Sequence, residues 1–154
     1  MGEFEVAAGG NYCYERFLYR LGVSALRDRF VLKGAVLLRV WSNQPYRATR
    51  DLDLLHRGAS SFEDIAEEIK EVIETTVEAD GVEFAPSTIR VVPIRAEDEY
   101  AGTRVTLSAS YGSAHLQLQI DLGVGDAISP TPKDCDYPTL LDRRRALWLI
   151  RARR

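Results

Sequence analysis

Cysteine and histidine are scarce in this chain of 154 residues: there are two of each, Cys13 and Cys135, His56 and His115. The cysteines stand far apart and show no metal-type spacing, and neither histidine completes a ligand set with them. A disulfide framework and a structural zinc site are therefore excluded. Reduced thiols in a cytoplasmic setting are expected. No apolar run approaches the ~20 residues that cross a membrane, so no membrane partner is expected. The start, Met1-Gly2-Glu3-Phe4-Glu5-Val6, has neither the basic region nor the apolar core of a secretory signal. The serines lack any spacing to His and Asp that would suggest a nucleophilic triad. Excess positive charge is missing as well. The formal net charge is −3, and residues 143–154 hold six arginines and no acid, which leaves residues 1–142 distinctly acidic. Such a body does not favour nonspecific nucleic-acid binding, so any RNA contact must come from local arginines or from the tail.

What is present suits one folded domain. Hydrophobic residues make up 45% and charged residues 28%, enough for a core at this length. Residues 1–10 are expected to form a flexible leader, with Asn11 capping a helix on which Tyr14, Phe17, Leu18 and Leu21 recur at helical spacing. Phe30 to Leu32 is expected as a short buried strand and Ala35 to Trp41 as a helix. Ser61 with Asp64 has the pattern of a capping box, opening an amphipathic helix with Ile65, Ile69, Val72 and Ile73 on one stripe. The acids of its other face, Glu68 among them, are expected in solvent. Asp80-Gly81 marks a turn. Ile89 to Ile94 and Arg104 to Ser110 are strand candidates. Ala114 to Leu122 alternates cleanly, Leu116, Leu118, Ile120 and Leu122 against His115, Gln117, Gln119 and Asp121, as a strand does with one covered and one open face.

Chemistry concentrates in Arg47-Ala48-Thr49-Arg50-Asp51-Leu52-Asp53-Leu54-Leu55. Side chains two apart on a strand share a face, about 6.6 Å apart along it, so Asp51 and Asp53 project together while Leu52 and Leu54 enter the core. Isolated acidic pairs are common on solvated strands. Here, however, Phe30-Val31-Leu32-Lys33-Gly34-Ala35 lies upstream, a strand-to-helix turn whose backbone N–H groups suit phosphate. Paired hard-oxygen ligands beside a phosphate seat suggest metal-dependent chemistry on a nucleotide. Asp121, closing the polar face of a later strand, is the candidate third carboxylate; the plainer alternative for it is a strand-end cap or a partner for an arginine.

This ordered set resembles the AbiEii/AbiGii family of nucleotidyltransferase-like toxins, within the polymerase-β-like nucleotidyltransferase superfamily. The likeness runs from about Tyr14 to Asp142, through Tyr137-Pro138-Thr139-Leu140-Leu141-Asp142. It implies an α+β domain over residues 11–142, with a small mixed sheet, helices on one face and the acidic site on the other. It also implies a metal-dependent nucleotidyltransferase of a toxin–antitoxin or abortive-infection system. Such an enzyme moves a nucleoside monophosphate from an NTP to RNA, tRNA included, or to a protein acceptor. On this likeness Asp51, Asp53 and Asp121 are catalytic and hold Mg²⁺ or Mn²⁺. Lys33, Gly34, Ala35, Arg47 and Thr49 bind the nucleotide, with Ala35 where relatives often carry a second Gly or a Ser. A cognate antitoxin and self-association are expected partners. Relatives continue into helices bearing an Ala-Glu-Lys motif and a Lys-Asp motif, neither of which follows here. The arginine-rich stretch 143–154 is read as a frameshift or truncation product, or else as a basic tail meeting RNA or an acidic partner. The rival reading is a catalytically inactive nucleotide- or partner-binding remnant. A structural interaction domain with an incidental acidic pair is the third.

Overall fold

The computed structural model describes residues 3–33, 51–58, 60–97, 99–124, 133–136 and 149–152. Helix α1 spans Glu3–Val23 and is followed by a 3-10 turn, Arg27–Arg29. Strand β1 is Phe30–Lys33, β2 is Leu52–His56, and helix α2 is Phe62–Ile73. Three long strands follow, β3 (Val82–Ala96), β4 (Glu99–Tyr111) and β5 (Ala114–Val124), and then two short ones, β6 (Lys133–Asp136) and β7 (Leu149–Ala152). They form one mixed sheet in the order β3-β4-β5-β2-β1-β7-β6.

Alternation dictates the layers. Val105, Leu107 and Ala109 of β4, Leu118, Ile120 and Leu122 of β5, and Leu52 and Leu54 of β2 point to one face and are buried. Phe17, Leu18 and Leu21 of α1 and Ile65, Ile69 and Val72 of α2 cover that face in a single cluster. Fully burying one such side chain contributes about 1.5–3 kcal/mol, so this interlocked set holds the layers together. The opposite face carries Arg104, Thr106, Ser108, His115, Gln117, Gln119 and Asp121, all partly or fully exposed. Helices on one face of a mixed sheet is the expected architecture.

The helices are fixed by charge as well as by packing. Arg16 and Arg20 of α1 converge on Asp80, just ahead of β3, through Arg16 Nε at 2.7 Å and Arg20 Nη1 at 2.8 Å. The Tyr12 hydroxyl donates to the Asp80 carbonyl at 2.9 Å. Helix α2 opens with the expected capping box, Asp64 N–H to Ser61 Oγ at 3.1 Å and Ser61 N–H to Asp64 Oδ2 at 3.2 Å. Its acidic face is only partly solvated. Glu68 is drawn inward, 2.6 Å from buried His56 Nε2 and 2.9 Å from Arg29 Nη2, because a histidine buried at the end of β2 needs a polar partner.

Further differences concern extent, among them β4, which begins at Glu99 rather than Arg104. Helix α1 already runs from Glu3, with Gly9, Gly10 and Asn11 inside it. The glycines cost about 1 kcal/mol each relative to alanine, and a helix of 21 residues anchored through its second half carries that. Strand β3 begins at Val82 rather than Ile89, its pairing with β4 shifting between Ala85 and Arg90, where Pro86 can give no ladder hydrogen bond. The expected helix from Ala35 to Trp41 lies outside the described residues.

Candidate metal and nucleotide site

The site is a product of register. Strand β2 pairs antiparallel with β1, setting Lys33 opposite Asp53. It pairs parallel with β5, setting Asp53 opposite Asp121. Strand β4, antiparallel to β5, sets Arg104 opposite Asp121. One row thus crosses four strands: Lys33, Asp53, Asp121, Arg104. Asp51 sits just ahead of β2. The carboxylates of Asp51, Asp53 and Asp121, each partly buried, offer ligand atoms within 4.8 Å of one another. The three are hard oxygen donors in a compact cluster. They suit a divalent cation of the Mg²⁺ type, which takes one or two carboxylates and keeps other positions for water and phosphate.

Not every residue expected at the site can be placed. Lys33 closes β1 at the register position opposite Asp53. Gly34, Ala35, Arg47 and Thr49 lie outside the described residues.

Two residues that sequence reasoning missed bear directly on the cluster. Arg104 Nε donates to Asp121 Oδ1 at 2.9 Å and Nη2 to Oδ2 at 3.3 Å. This hydrogen bonding to Asp121, with the charges of Asp121 and Asp51, raises the guanidinium above its ordinary value, against a smaller opposing effect of burial. The signal was present in the hairpin. Gly112 (φ 59°) takes the first of the two loop positions between Tyr111 and Ala114, and counting outward from that turn brings Arg104 opposite Asp121. The other residue is Tyr14 of α1. Its hydroxyl accepts from Gln119 N–H at 2.9 Å and donates to the Gln119 carbonyl at 3.3 Å. Strand β2 begins opposite Ile120, so the phenol stands in for a strand neighbour at the next residue and fixes the β5 backbone two positions before Asp121. Burial pushes the Tyr14 hydroxyl up to about 12, and the negative charges of Asp51 and Asp121 add to the effect. It remains a neutral donor and acceptor.

The family model for the nucleotidyl transferase AbiEii toxin of type IV toxin–antitoxin systems matches residues 16–151. The chain belongs to this family. Two solved structures share the AbiEii chain's fold. JHP933 from Helicobacter pylori aligns over 100% of this chain and 53% of its own, with a TM-score of 0.57 and 13% identity. A second H. pylori protein, provisionally named a nucleotidyltransferase, aligns over 100% of this chain and 55% of its own, with a TM-score of 0.55 and 13% identity. The AbiEii chain therefore spans about half the length of these structures, and at such identity the likeness concerns fold alone. No curated protein matches it. Among the described residues, no helix is long and apolar enough to cross a membrane.

Proposed function

We propose that this chain carries the nucleotidyl-transfer centre of a type IV toxin, moving a nucleoside monophosphate from an NTP to a hydroxyl of RNA, tRNA included, or of a protein. The acceptor oxygen bonds the α-phosphorus and gives up its proton, the α–β phosphoanhydride bond breaks, and pyrophosphate leaves. The observation that carries this reading is the meeting of three carboxylates, Asp53 and Asp121 on paired strands and Asp51 just ahead of β2, with ligand atoms within 4.8 Å, in a chain of the AbiEii family. Asp51, Asp53 and Asp121 hold Mg²⁺ or Mn²⁺. When bound, the metal neutralises phosphate charge and favours an in-line displacement.

The chain's own residues supply position. Paired strands β2 and β5 hold Asp53 and Asp121 at fixed separation, and Tyr14 locks the β5 backbone beside them. Lys33 with Gly34 and Ala35, and Arg47 with Thr49, bind the triphosphate through charge and backbone N–H groups. Arg104 steadies Asp121. A cognate antitoxin is the protein partner, self-association is expected, and the setting is the cytoplasm. Of the arginine-rich stretch, Leu149–Ala152 is taken up in the sheet as β7 between β1 and β6 rather than left as a tail.

Incubation with NTPs labelled on the α-phosphate, total RNA and the purified chain tests this. Label should enter RNA or protein only with Mg²⁺ or Mn²⁺, and Asp53→Asn should fall below about 1% of wild type with an unchanged melting profile. Metal-dependent NTP binding without any transfer would select the inactive, nucleotide-binding remnant. Absence of both binding and transfer would sink the reading.

A further inference from the structure

Arg104 puts a positive charge where the proposed site must take up another. It engages both carboxylate oxygens of Asp121, at 2.9 and 3.3 Å. The two side chains are unequally held, Asp121 being 16% exposed and Arg104 40%. The acid is anchored in the sheet, and the arginine has room to change partners. Gln119 lies against the pair: with its amide turned so that the oxygen faces Arg104, it accepts from Arg104 Nε and Nη2 at 3.3 Å each, while its own backbone is fixed by Tyr14. The guanidinium is therefore built into the acidic cluster.

A hard cation lies about 2.1 Å from its oxygens. With Arg104 Nε 2.9 Å from Oδ1, an ion on that oxygen would sit no more than about 5 Å from the guanidinium. Even with the screening of bulk water, a unit charge at that distance changes the affinity of a divalent ion roughly tenfold. A cation chelated by a triphosphate meets different conditions. The chelate has net negative charge, and its phosphate oxygens offer the guanidinium fork a two-pronged partner in place of Asp121. Bare metal is repelled, and metal on a nucleotide is received.

We propose that Arg104 makes the acidic cluster discriminate against free divalent cations in favour of the cation–nucleoside triphosphate chelate, so that metal and nucleotide arrive together. This rests on the acidic cluster being a metal site. As a positioning residue, Arg104 acts through Asp121 before the nucleotide arrives and through the phosphates afterwards.

Binding of Mn²⁺ to the purified chain, followed by the loss of the free-ion electron-spin-resonance signal, tests this without any need for turnover. Arg104→Gln should bind Mn²⁺ alone about tenfold more tightly than wild type, and should bind Mn²⁺ with a non-hydrolysable ATP analogue less tightly than wild type. Arg104→Lys, which keeps the charge and loses the fork, should bind bare Mn²⁺ as weakly as wild type. Lys70→Gln, removing one positive charge from the exposed face of α2, should change neither value. If Arg104→Gln shows an unaltered or weaker affinity for bare Mn²⁺ while wild type binds the chelate, the proposal fails and the metal site stands. The proposal fails likewise if Arg104→Lys binds bare Mn²⁺ as tightly as Arg104→Gln. If neither wild type nor variant binds Mn²⁺ with or without nucleotide, both the proposal and the site reading fall.

Discussion

Asp80→Ala removes the carboxylate on which two buried arginines converge. Asp80 accepts from Arg16 Nε at 2.7 Å, from Arg20 Nη1 and Nη2 at 2.8 and 3.2 Å, and from the Val82 N–H at 3.0 Å. The arginine side chains are only 9% and 7% exposed, so water cannot replace the lost acceptor without opening the packing of α1. Breaking a buried pair from one side costs about 3–5 kcal/mol, a large share of the ~5–15 kcal/mol that separates folded from unfolded states. With a urea slope near 2 kcal/mol per M, the unfolding midpoint should fall by about 2 M. Arg16→Met should cost less, because Arg20 still grips both Asp80 oxygens. The pH dependence follows from the same contacts. Burial raises the Asp80 carboxyl, but hydrogen bonds from Arg20, Arg16 and the Val82 N–H outweigh it and hold the group below its ordinary value of 3.8. This stabilisation is complete above that value. It is lost as pH falls toward the folded-state value, because the unfolded chain takes up a proton first. Wild type should lose stability steeply below pH 3.8, and Asp80→Ala should lose less over the same range. A midpoint shift equivalent to under about 1 kcal/mol would mean the arginines are solvated, and the argument from burial would be refuted.

Two other outcomes are specific. Gly102→Ala should destabilise by about 2–3 kcal/mol, because φ at Gly102 is +142° and an added Cβ would lie 2.5 Å from the Leu122 carbonyl oxygen. Thermal denaturation checks this, and a neutral variant would show that β4 and β5 separate easily there. Tyr14→Phe should cost about 1–3 kcal/mol by leaving the Gln119 N–H without its partner. It should also weaken Mn²⁺–nucleotide binding in calorimetry, whereas intact binding would show that the β5 backbone holds Asp121 in place unaided.

The parts of the fold visible in the sequence were those written in local pattern. The alternation of β5, the capping box of α2 and the Asp51-Leu52-Asp53 spacing each occupy fewer than a dozen residues and need no knowledge of what lies opposite. The parts that escaped depend on distant partners. Glu68 looked like one more solvated acid until His56 and Arg29 were brought against it. Arg104 gave no sign of its role until the hairpin register was counted out to Asp121. Gly9 and Gly10 suggested a loose start, yet the helix that contains them is held by its contacts with Asp80, more than sixty positions away.

The parallel pairing of β2 with β5 has a consequence in time. Asp53 and Asp121 share a register position, but α2 and the whole β3–β4 hairpin intervene, so their meeting closes a very long loop. Contacts between neighbouring segments form quickly, while such closure is entropically slow. The β4–β5 hairpin and helix α2 can be native before the acidic cluster exists. Nascent or partly unfolded chains therefore lack the assembled carboxylates even when much of their structure is in place. The acidic cluster is thus complete only once β2 has paired with β5, however much of the local structure precedes it.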